Sequence, residues 1–186
     1  MPDLEFHALT PERWPDLVTL FGERGACGGC WCMWWRLSRS EWTRQRGEAN
    51  KAAFKQIVDS GEVPGIIAYA DGQPVGWCSV GPREAFPALD RSRTLKRLDD
   101  QPVWPIVCFF VDRRFRRQGL TVQLLRAVVD YVRARGGKVI EGYPQRSAKQ
   151  VADAWVYMGL APAFLKAGFT EVARPSKTRS IMRYTL

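Results

Sequence analysis

Short apolar runs and one long apolar stripe dominate the pattern of hydrophobic and polar positions along the chain. Residues 106–111 are all apolar and mostly β-branched or aromatic, which predicts a strand covered on both faces. From Leu120 to Val132, leucines and valines recur every three or four residues, which predicts an amphipathic helix. Gly136 and Gly137 supply its stop. The other elements are placed around this strand and helix.

The rest of the pattern predicts a mixture of strands and helices. Asp71-Gly72 separates two apolar runs, as in the turn of a β-hairpin. Thr10 and Ser40 precede amphipathic stretches and are expected to cap helices. Residues 84–100 are polar and predict a short helix and an exposed loop. The other expected strands are residues 4–9, 65–69, 75–80, 138–143, 169–173 and 180–185, and the other expected helices are residues 11–21, 41–60, 148–155 and 162–167.

The composition is that of an ordinary globular protein. With 186 residues, 46% hydrophobic and 25% charged, the chain is expected to form one domain over residues 1–186 with a sizeable core. No apolar run approaches the roughly 18 residues that span a bilayer, and the first ten residues do not resemble a signal peptide. We therefore expect a cytoplasmic protein that does not bind membranes.

The charge and the cysteines narrow the function further. A net charge of +9 favours polyanionic ligands, which include CoA, nucleic acids and anionic lipid surfaces. Five cysteines are an odd number, and Cys108 lies inside the predicted central strand, so a secreted disulfide framework is not expected.

An arginine-rich turn joins the central strand to the long helix. Arg113, Arg114, Arg116 and Arg117 lie within five residues, and Gly119 stands where the turn becomes the helix. A helix N-terminus presents unpaired N–H groups to anions, and glycine lets a ligand approach the backbone closely. An isolated basic turn is usually a solvated surface, but this position favours phosphate binding.

This turn resembles the acyl-CoA pyrophosphate signature of the GNAT acetyltransferase superfamily, which reads Arg or Gln, two residues, Gly, one residue, then Gly or Ala. Arg116 and Gly119 match it, whereas Thr121 departs from the small final residue. Gly168-Phe169 and the order of the predicted elements also fit the superfamily. The resemblance implies a mixed α/β fold with a central, mostly antiparallel sheet of six to seven strands and helices on both faces.

The resemblance also implies an activity. Members transfer the acetyl group of acetyl-CoA to a primary amine of a small molecule or peptide, by direct attack in a ternary complex. The strand residues Phe109, Phe110 and Val111 would pair with the pantetheine arm and polarise the thioester. Phe164 is expected beside the cofactor. The pyrophosphate would be held by Arg116, Arg117, Gln118, Gly119, Leu120 and Thr121. Many members dimerise, which leaves a homodimer open.

The acid and the base are less well specified by the resemblance. Members often have a tyrosine four residues before the final Gly-Phe, where this chain has Phe164, and an asparagine seven residues earlier, where it has Tyr157. Tyr157 and Tyr143 are therefore the candidate acids, although a tyrosine near a sheet often only packs. Glu141 is the first candidate base, unless an arginine pairs with it, and Glu84 is the second.

Cysteines and tryptophans crowd residues 27–36. Cys27, Cys30 and Cys32 could suggest a metal, but a closed zinc site needs four ligands and His7 is the only histidine, so no metal is expected. The tryptophans of this stretch either close the core or wall an acceptor pocket that holds a cationic amine. The tryptophans concerned are Trp31, Trp34 and Trp35, with Trp42 further on.

Two other functions stay open at this point. The missing tyrosine and asparagine would suit a non-catalytic protein that binds acyl-CoA. The net charge would suit a nucleic-acid-binding protein, but the basic and aromatic residues are not interleaved as in RNA-binding modules, so nucleic acid is the less favoured partner.

Overall fold

The computed structural model describes residues 3–147 and 156–186. The predicted helix at residues 148–155 lies outside the described residues. The strands are β1 (Leu4–Ala8), β2 (Gly65–Ala70), β3 (Gln73–Val80), β4 (Val103–Val111), β5 (Val139–Gly142), β6 (Thr170–Ala173) and β7 (Ile181–Thr185). The helices are α1 (Trp14–Phe21), α2 (Arg39–Arg44), α3 (Glu48–Asp59), α4 (Pro87–Asp90), α5 (Leu120–Ala134) and α6 (Ala161–Lys166). None of these helices combines the length and apolar character needed to cross a membrane.

One seven-stranded sheet with the order β1-β2-β3-β4-β5-β7-β6 organises the fold. The pair β4–β5 is parallel and the other neighbouring pairs are antiparallel. Alternate residues of β2 enter different cores, because Ile66 packs with α5 while Ile67 packs with α1 and α3. Helices therefore cover both faces of the sheet. The predicted mixed α/β fold with a mostly antiparallel sheet is confirmed.

The hairpin between β2 and β3 forms where the sequence predicts it. Asp71 and Gly72 both have positive φ, at 48° and 74°, as a two-residue type I′ turn requires. Ala70 pairs with Gln73 across the turn. The β3 strand then lies against β4 and brings Trp77 opposite Phe110.

The predicted helix at residues 41–60 is wrong in two respects. It is two helices, because Gly47 has a φ of 87° and breaks the chain direction between α2 and α3. The cap of α2 is Ser38 rather than Ser40. The Ser38 hydroxyl accepts from the Glu41 N–H, and the Glu41 carboxylate accepts from the Ser38 N–H at 2.9 Å, so the pair closes a capping box. Thr10, the other expected cap, makes no capping bond through its side chain.

The strands β4 and β5 separate halfway along β4. They pair from Val103 with Val139 to Ile106 with Gly142, and β5 ends there. β4 continues for five more residues to Val111 without β5 beside it. This separation leaves a notch on the β5 side of β4, immediately before the arginine-rich turn.

Candidate active site

Backbone groups of β4 face the notch. The Phe109 N–H donates to the Tyr157 carbonyl at 2.6 Å, and the Arg116 Nε donates to the Val111 carbonyl at 3.0 Å. Phe110, between them, pairs with Trp77 of β3 and packs its ring against Phe21. Phe109 and Val111, two of the three predicted pantetheine-binding residues, therefore have backbone groups that face the notch. Both groups are hydrogen-bonded to other residues of the chain.

The turn after β4 is ordered by its own side chains. Asp112 caps a 3₁₀ turn, because its carboxylate accepts from the Arg114 N–H at 2.9 Å. The Arg114 side chain is bonded to the same carboxylate and holds the pKa of Asp112 below its usual value. Arg116, Arg117 and Gln118 are exposed, and Gln118 donates to the Arg114 carbonyl at 2.6 Å. The loop thus presents its arginines outward beside the start of α5.

Gly119 and the first turn of α5 form the remainder of the predicted phosphate site. Gly119 is the N-cap and has a left-handed φ of 83°. A Cβ at this position would meet no atom within 4 Å, so the space above the helix N-terminus is open. Thr121 is half-buried, whereas Leu120 is buried in the core beneath. By helix geometry the N–H groups of Leu120 and Thr121 have no intrahelical acceptor and are available to an anion, whereas the Val122 N–H donates to the Gly119 carbonyl at 2.9 Å.

Phe164 is a core residue below the notch. Its ring is fully buried, lies edge-on to Phe109 and Phe169, and covers Gly142, where a Cβ would approach to 2.1 Å. It carries no proton that it could donate. Its position next to Phe109 shows that it shapes the floor of the notch.

Glu141 and Tyr143 lie together in a buried ion network. The Tyr143 hydroxyl donates to Glu141 Oε1 at 2.7 Å, and Arg183 Nε donates to Oε2 at 2.7 Å. Arg83 Nη1 donates to the Tyr143 hydroxyl at 2.7 Å and lies 3.4 Å from Oε1. Glu141 and Arg83 are each only 1% exposed. Both carboxylate oxygens are thus already engaged, as the arginine-pairing alternative requires.

The same arginines fasten a surface segment to the sheet. Asp90 accepts from Arg83 Nη2 at 2.7 Å, and Asp99 accepts from both terminal nitrogens of Arg183. These bonds hold the segment that carries Arg83, Asp90 and Asp99 over β5 and β7.

Burial, followed by the charge of Glu141, raises the pKa of Tyr143 well above its usual value.

Tyr157 is the candidate acid that contacts the notch directly. Its carbonyl accepts from the Phe109 N–H, and its ring packs on the cluster that contains Val107. Burial, followed by the charge of Cys108, raises the pKa of Tyr157 to about 12. The phenol is therefore protonated at neutral pH.

The comparisons with known proteins agree with this geometry. The model of the acetyltransferase (GNAT) family matches residues 31–151, which include β4, the arginine-rich turn and α5. The chain belongs to the GNAT acetyltransferase family. No curated protein matches the sequence of this GNAT protein.

Solved structures share the fold at low sequence identity. PaiA N-acetyltransferase from Thermoplasma acidophilum, in complex with coenzyme A, is 14% identical with a TM-score of 0.54, covering 99% of both chains. YncA from Salmonella typhimurium, with acetyl-CoA, is 14% identical with a TM-score of 0.53, covering 98% of this chain and 93% of its own. The ribosomal-protein-S5-alanine acetyltransferase from Vibrio fischeri is 9% identical with a TM-score of 0.56, covering 100% and 94%. These likenesses establish the GNAT fold.

Glu84 of this GNAT protein lies far from the notch. It is 74% exposed, pairs with Arg97 at 3.3 Å and lines a surface groove with Trp104, at the opposite end of β4 from Val111. Because a strand advances about 3.3 Å per residue, roughly 17 Å of strand separate Trp104 from Phe109. The structure therefore does not bring the second candidate base to the proposed thioester site.

The tryptophans predicted to line an acceptor pocket lie partly in the core and partly at its edge. Trp31 is 2% exposed and stacks on Trp14 at 6.1 Å, so it is a core residue. Trp34 is half-buried and packs edge-on against Trp42 at 4.8 Å. Trp35 packs on the same cluster as Tyr157. Of the three predicted pocket residues, Trp35 is the one that the structure places with a notch residue.

Sequence reasoning missed the partners that complete these groups. Arg83 and Arg183 come from separate segments, and no sequence motif around either residue indicates that it pairs with Glu141. Cys108 comes from β4 and packs against the buried cluster that contains Cys32, whose sulfur accepts from Trp77 Nε1 at 2.9 Å. Within the described part of the chain, no three His, Cys, Asp or Glu residues are arranged to hold a metal ion.

Proposed function

We propose that this protein transfers the acetyl group of acetyl-CoA to a primary amine of a small molecule or peptide, by direct attack in a ternary complex. One observation carries the proposal. The half of β4 that β5 does not pair with leads directly into a turn rich in arginines and an open helix N-terminus. A thioester and a pyrophosphate, joined by an extended arm, match these two features in order.

The backbone of β4 would hold the arm and activate the thioester. The Phe109 N–H would donate to the thioester carbonyl in place of the Tyr157 carbonyl, and the Val111 carbonyl would accept from the pantetheine in place of Arg116. A donor fixed in a strand stabilises the developing oxyanion without having to reorganise. Arg116, once displaced from Val111, would turn toward the phosphates.

Orientation supplies the rest of the proposed catalysis. The N-terminus of α5 and the loop arginines would fix one end of acetyl-CoA, and the notch would fix the reacting end. The family match supports a CoA thioester as the donor, and the ligands named for PaiA and YncA agree with it. Glu141 is assigned to holding the fold, since its oxygens are engaged by Tyr143 and two arginines.

Thermal unfolding with acetyl-CoA, CoA and ATP, measured side by side, tests this proposal. A ligand at 100 times its dissociation constant stabilises by about 2.7 kcal/mol, which corresponds to a rise of roughly 5–10 °C at this size. We expect that rise with acetyl-CoA and CoA, and a much smaller one with ATP. Release of CoA thiol with a panel of amines then separates the enzyme from a non-catalytic binder, which would be stabilised but release no thiol.

Tyr157→Phe tests the proposed acid. We expect kcat for thiol release to fall about tenfold or more, because the leaving thiolate loses a positioned proton donor. The affinity for acetyl-CoA should be unchanged, since the Tyr157 carbonyl and the β4 backbone remain. Because the pKa of Tyr157 is raised to about 12, the phenol should stay protonated, and the difference between the two proteins should persist from neutral to mildly alkaline pH. An unchanged kcat would remove Tyr157 from the mechanism.

A further inference from the structure

Cys32 and Cys108 belong to one buried cluster although they come from separate segments, whereas Cys78 lies in the core on the other face of the sheet. Cys27, Cys30 and Cys32 belong to the loop between α1 and α2, Cys78 to β3 and Cys108 to β4, and all five are free. The Cys30 N–H donates to the Cys27 carbonyl at 3.2 Å, and Cys108 packs against the cluster that contains Cys32. The loop that carries Cys27, Cys30 and Cys32 therefore lies against the central strand that carries Cys108.

Within this cluster, Cys32 and Cys108 are direct partners. Cys108 packs against the buried cluster that contains Cys32, and each thiol changes the pKa of the other. The Cys32 sulfur also accepts from Trp77 Nε1 at 2.9 Å. Cys32 is 5% exposed, whereas Cys108 is half-buried. Hydrogen peroxide, which is small, would have to reach the enclosed Cys32 sulfur past the half-buried Cys108.

The surroundings of Cys32 favour a thiolate. Burial alone would raise the pKa of the Cys32 thiol, but the Cys108 and Trp77 donors and the Arg36 charge outweigh it, so the pKa is lowered. The Arg36 guanidinium lies over the Phe86 ring at 4.6 Å, and burial lowers its own pKa to about 10. A stabilised thiolate is the form of cysteine that reacts with oxidants.

The loop holds Cys32 in a conformation that its sequence alone would not favour. Cys32 and Trp31 both have positive φ, at 56° and 43°, which is uncommon for residues other than glycine. The Gly47 N–H and the Asn50 side chain both donate to the Gly29 carbonyl and hold the loop in place. Strained residues of this kind cluster at functional sites and switches.

We propose that Cys32 and Cys108 form an oxidant-sensitive dithiol pair that hydroperoxides convert to a disulfide. The Cys32 thiolate attacks an oxygen of hydrogen peroxide, the O–O bond breaks, and hydroxide leaves and takes a proton to become water. Cys32 then carries a sulfenic acid. The Cys108 sulfur attacks the Cys32 sulfur, the S–O bond breaks, and a second water leaves with the Cys108 proton. Two thiols are oxidised, and one peroxide is reduced to two waters.

The disulfide would tie the loop to β4 one residue before Phe109. Since the Phe109 N–H faces the notch, a bond at Cys108 changes the strand that carries the proposed thioester donor. This consequence rests on the proposed function, whereas formation of the disulfide does not. Oxidation should therefore lower acetyl transfer reversibly, and a thiol reductant such as dithiothreitol should restore it.

Peptide mapping of the wild-type protein tests the pair directly. The native protein is treated with hydrogen peroxide, its remaining thiols are alkylated, and it is digested with trypsin. Cys108 falls in fragment 98–113, Cys78 in fragment 56–83, and the three loop cysteines in fragment 25–36. We expect a reducible link between fragments 25–36 and 98–113, located on Cys32 by fragmentation, and a loss of two titratable thiols.

Single variants separate the pair from its neighbours. Cys108→Ser should abolish the link and leave a sulfenic acid on Cys32 that dimedone traps, whereas Cys27→Ser should leave the link intact. A link from fragment 25–36 to fragment 56–83, a bond between Cys27 and Cys30 alone, or no bond at all would overturn the proposal. The wild-type map decides this even if a serine variant fails to fold. It needs neither acetyl-CoA nor an amine, so its failure is distinct from failure of the proposed function.

Discussion

Gly119→Val should weaken the binding of acetyl-CoA by about 100-fold or more. Charge-assisted hydrogen bonds to phosphate contribute about 1.5–3 kcal/mol each, so losing two corresponds to a factor of roughly 10² to 10⁴. The valine would project into the space above the N-terminus of α5, which is open around Gly119, and would exclude the phosphates from the N–H groups. Valine also disfavours the left-handed φ of 83° at this position, so the arginine-rich loop would shift relative to the start of the helix.

Gly136→Val is the matched control. Gly136 follows the other end of α5 and has a φ of 73°, and a Cβ there would likewise meet no atom within 4 Å. Both substitutions should cost about 1–2 kcal/mol of folding stability through backbone strain. Titration calorimetry with CoA should show a loss of affinity in the Gly119 variant alone. Equal affinities in the two variants would mean that the pyrophosphate does not lie at this helix N-terminus.

The strand, turn and helix from Ile106 to Ala134 were predictable because each signal is local, although β4 begins three residues earlier, at Val103. A run of β-branched and aromatic residues, an arginine-rich turn and a repeat of three to four residues lie consecutively in the sequence. The Asp71-Gly72 turn is local in the same way. Such features require no knowledge of what the rest of the chain contributes.

The split between α2 and α3 was not predictable from the apolar pattern. Residues 43–48 carry no apolar side chain, so the apolar pattern does not mark where one helix ends and the next begins, and the positive φ of Gly47 places the break. Ser38 and Ser40 both precede a helical stretch, and Glu41 decides between them because it lies three residues after Ser38. That spacing was present in the sequence as a capping-box signal.

The notch and its contacts depend on residues distant in sequence. The family resemblance implied the roles of Phe109 and Gly119, but the Tyr157 carbonyl on the Phe109 N–H arises only from folding. Glu141 shows the same limit. Its partners Arg83 and Arg183 are 58 and 42 residues away, so the sequence could pose the alternative of a paired carboxylate but could not decide it.

Glu141→Ala should lower the free energy of unfolding by about 3–5 kcal/mol, because it leaves the buried charges of Arg83 and Arg183 without their common partner. The Tyr143 hydroxyl would lose its acceptor as well. For a protein of this size, that loss corresponds to a fall of roughly 6–20 °C in Tm. Calorimetry or circular dichroism against temperature measures it.

Glu84→Ala supplies the comparison, since Glu84 is the other carboxylate considered as a base and pairs with an arginine at the surface. Its loss should change the free energy of unfolding by no more than about 0.5 kcal/mol. Replacing Glu141 and Arg83 together by apolar residues should recover part of the stability, because the buried guanidinium is then removed together with the buried carboxylate that faces it. If Glu141→Ala instead kept its Tm and its affinity for acetyl-CoA but lost turnover, the carboxylate would be a base, and the ion network would be the means by which that base is oriented.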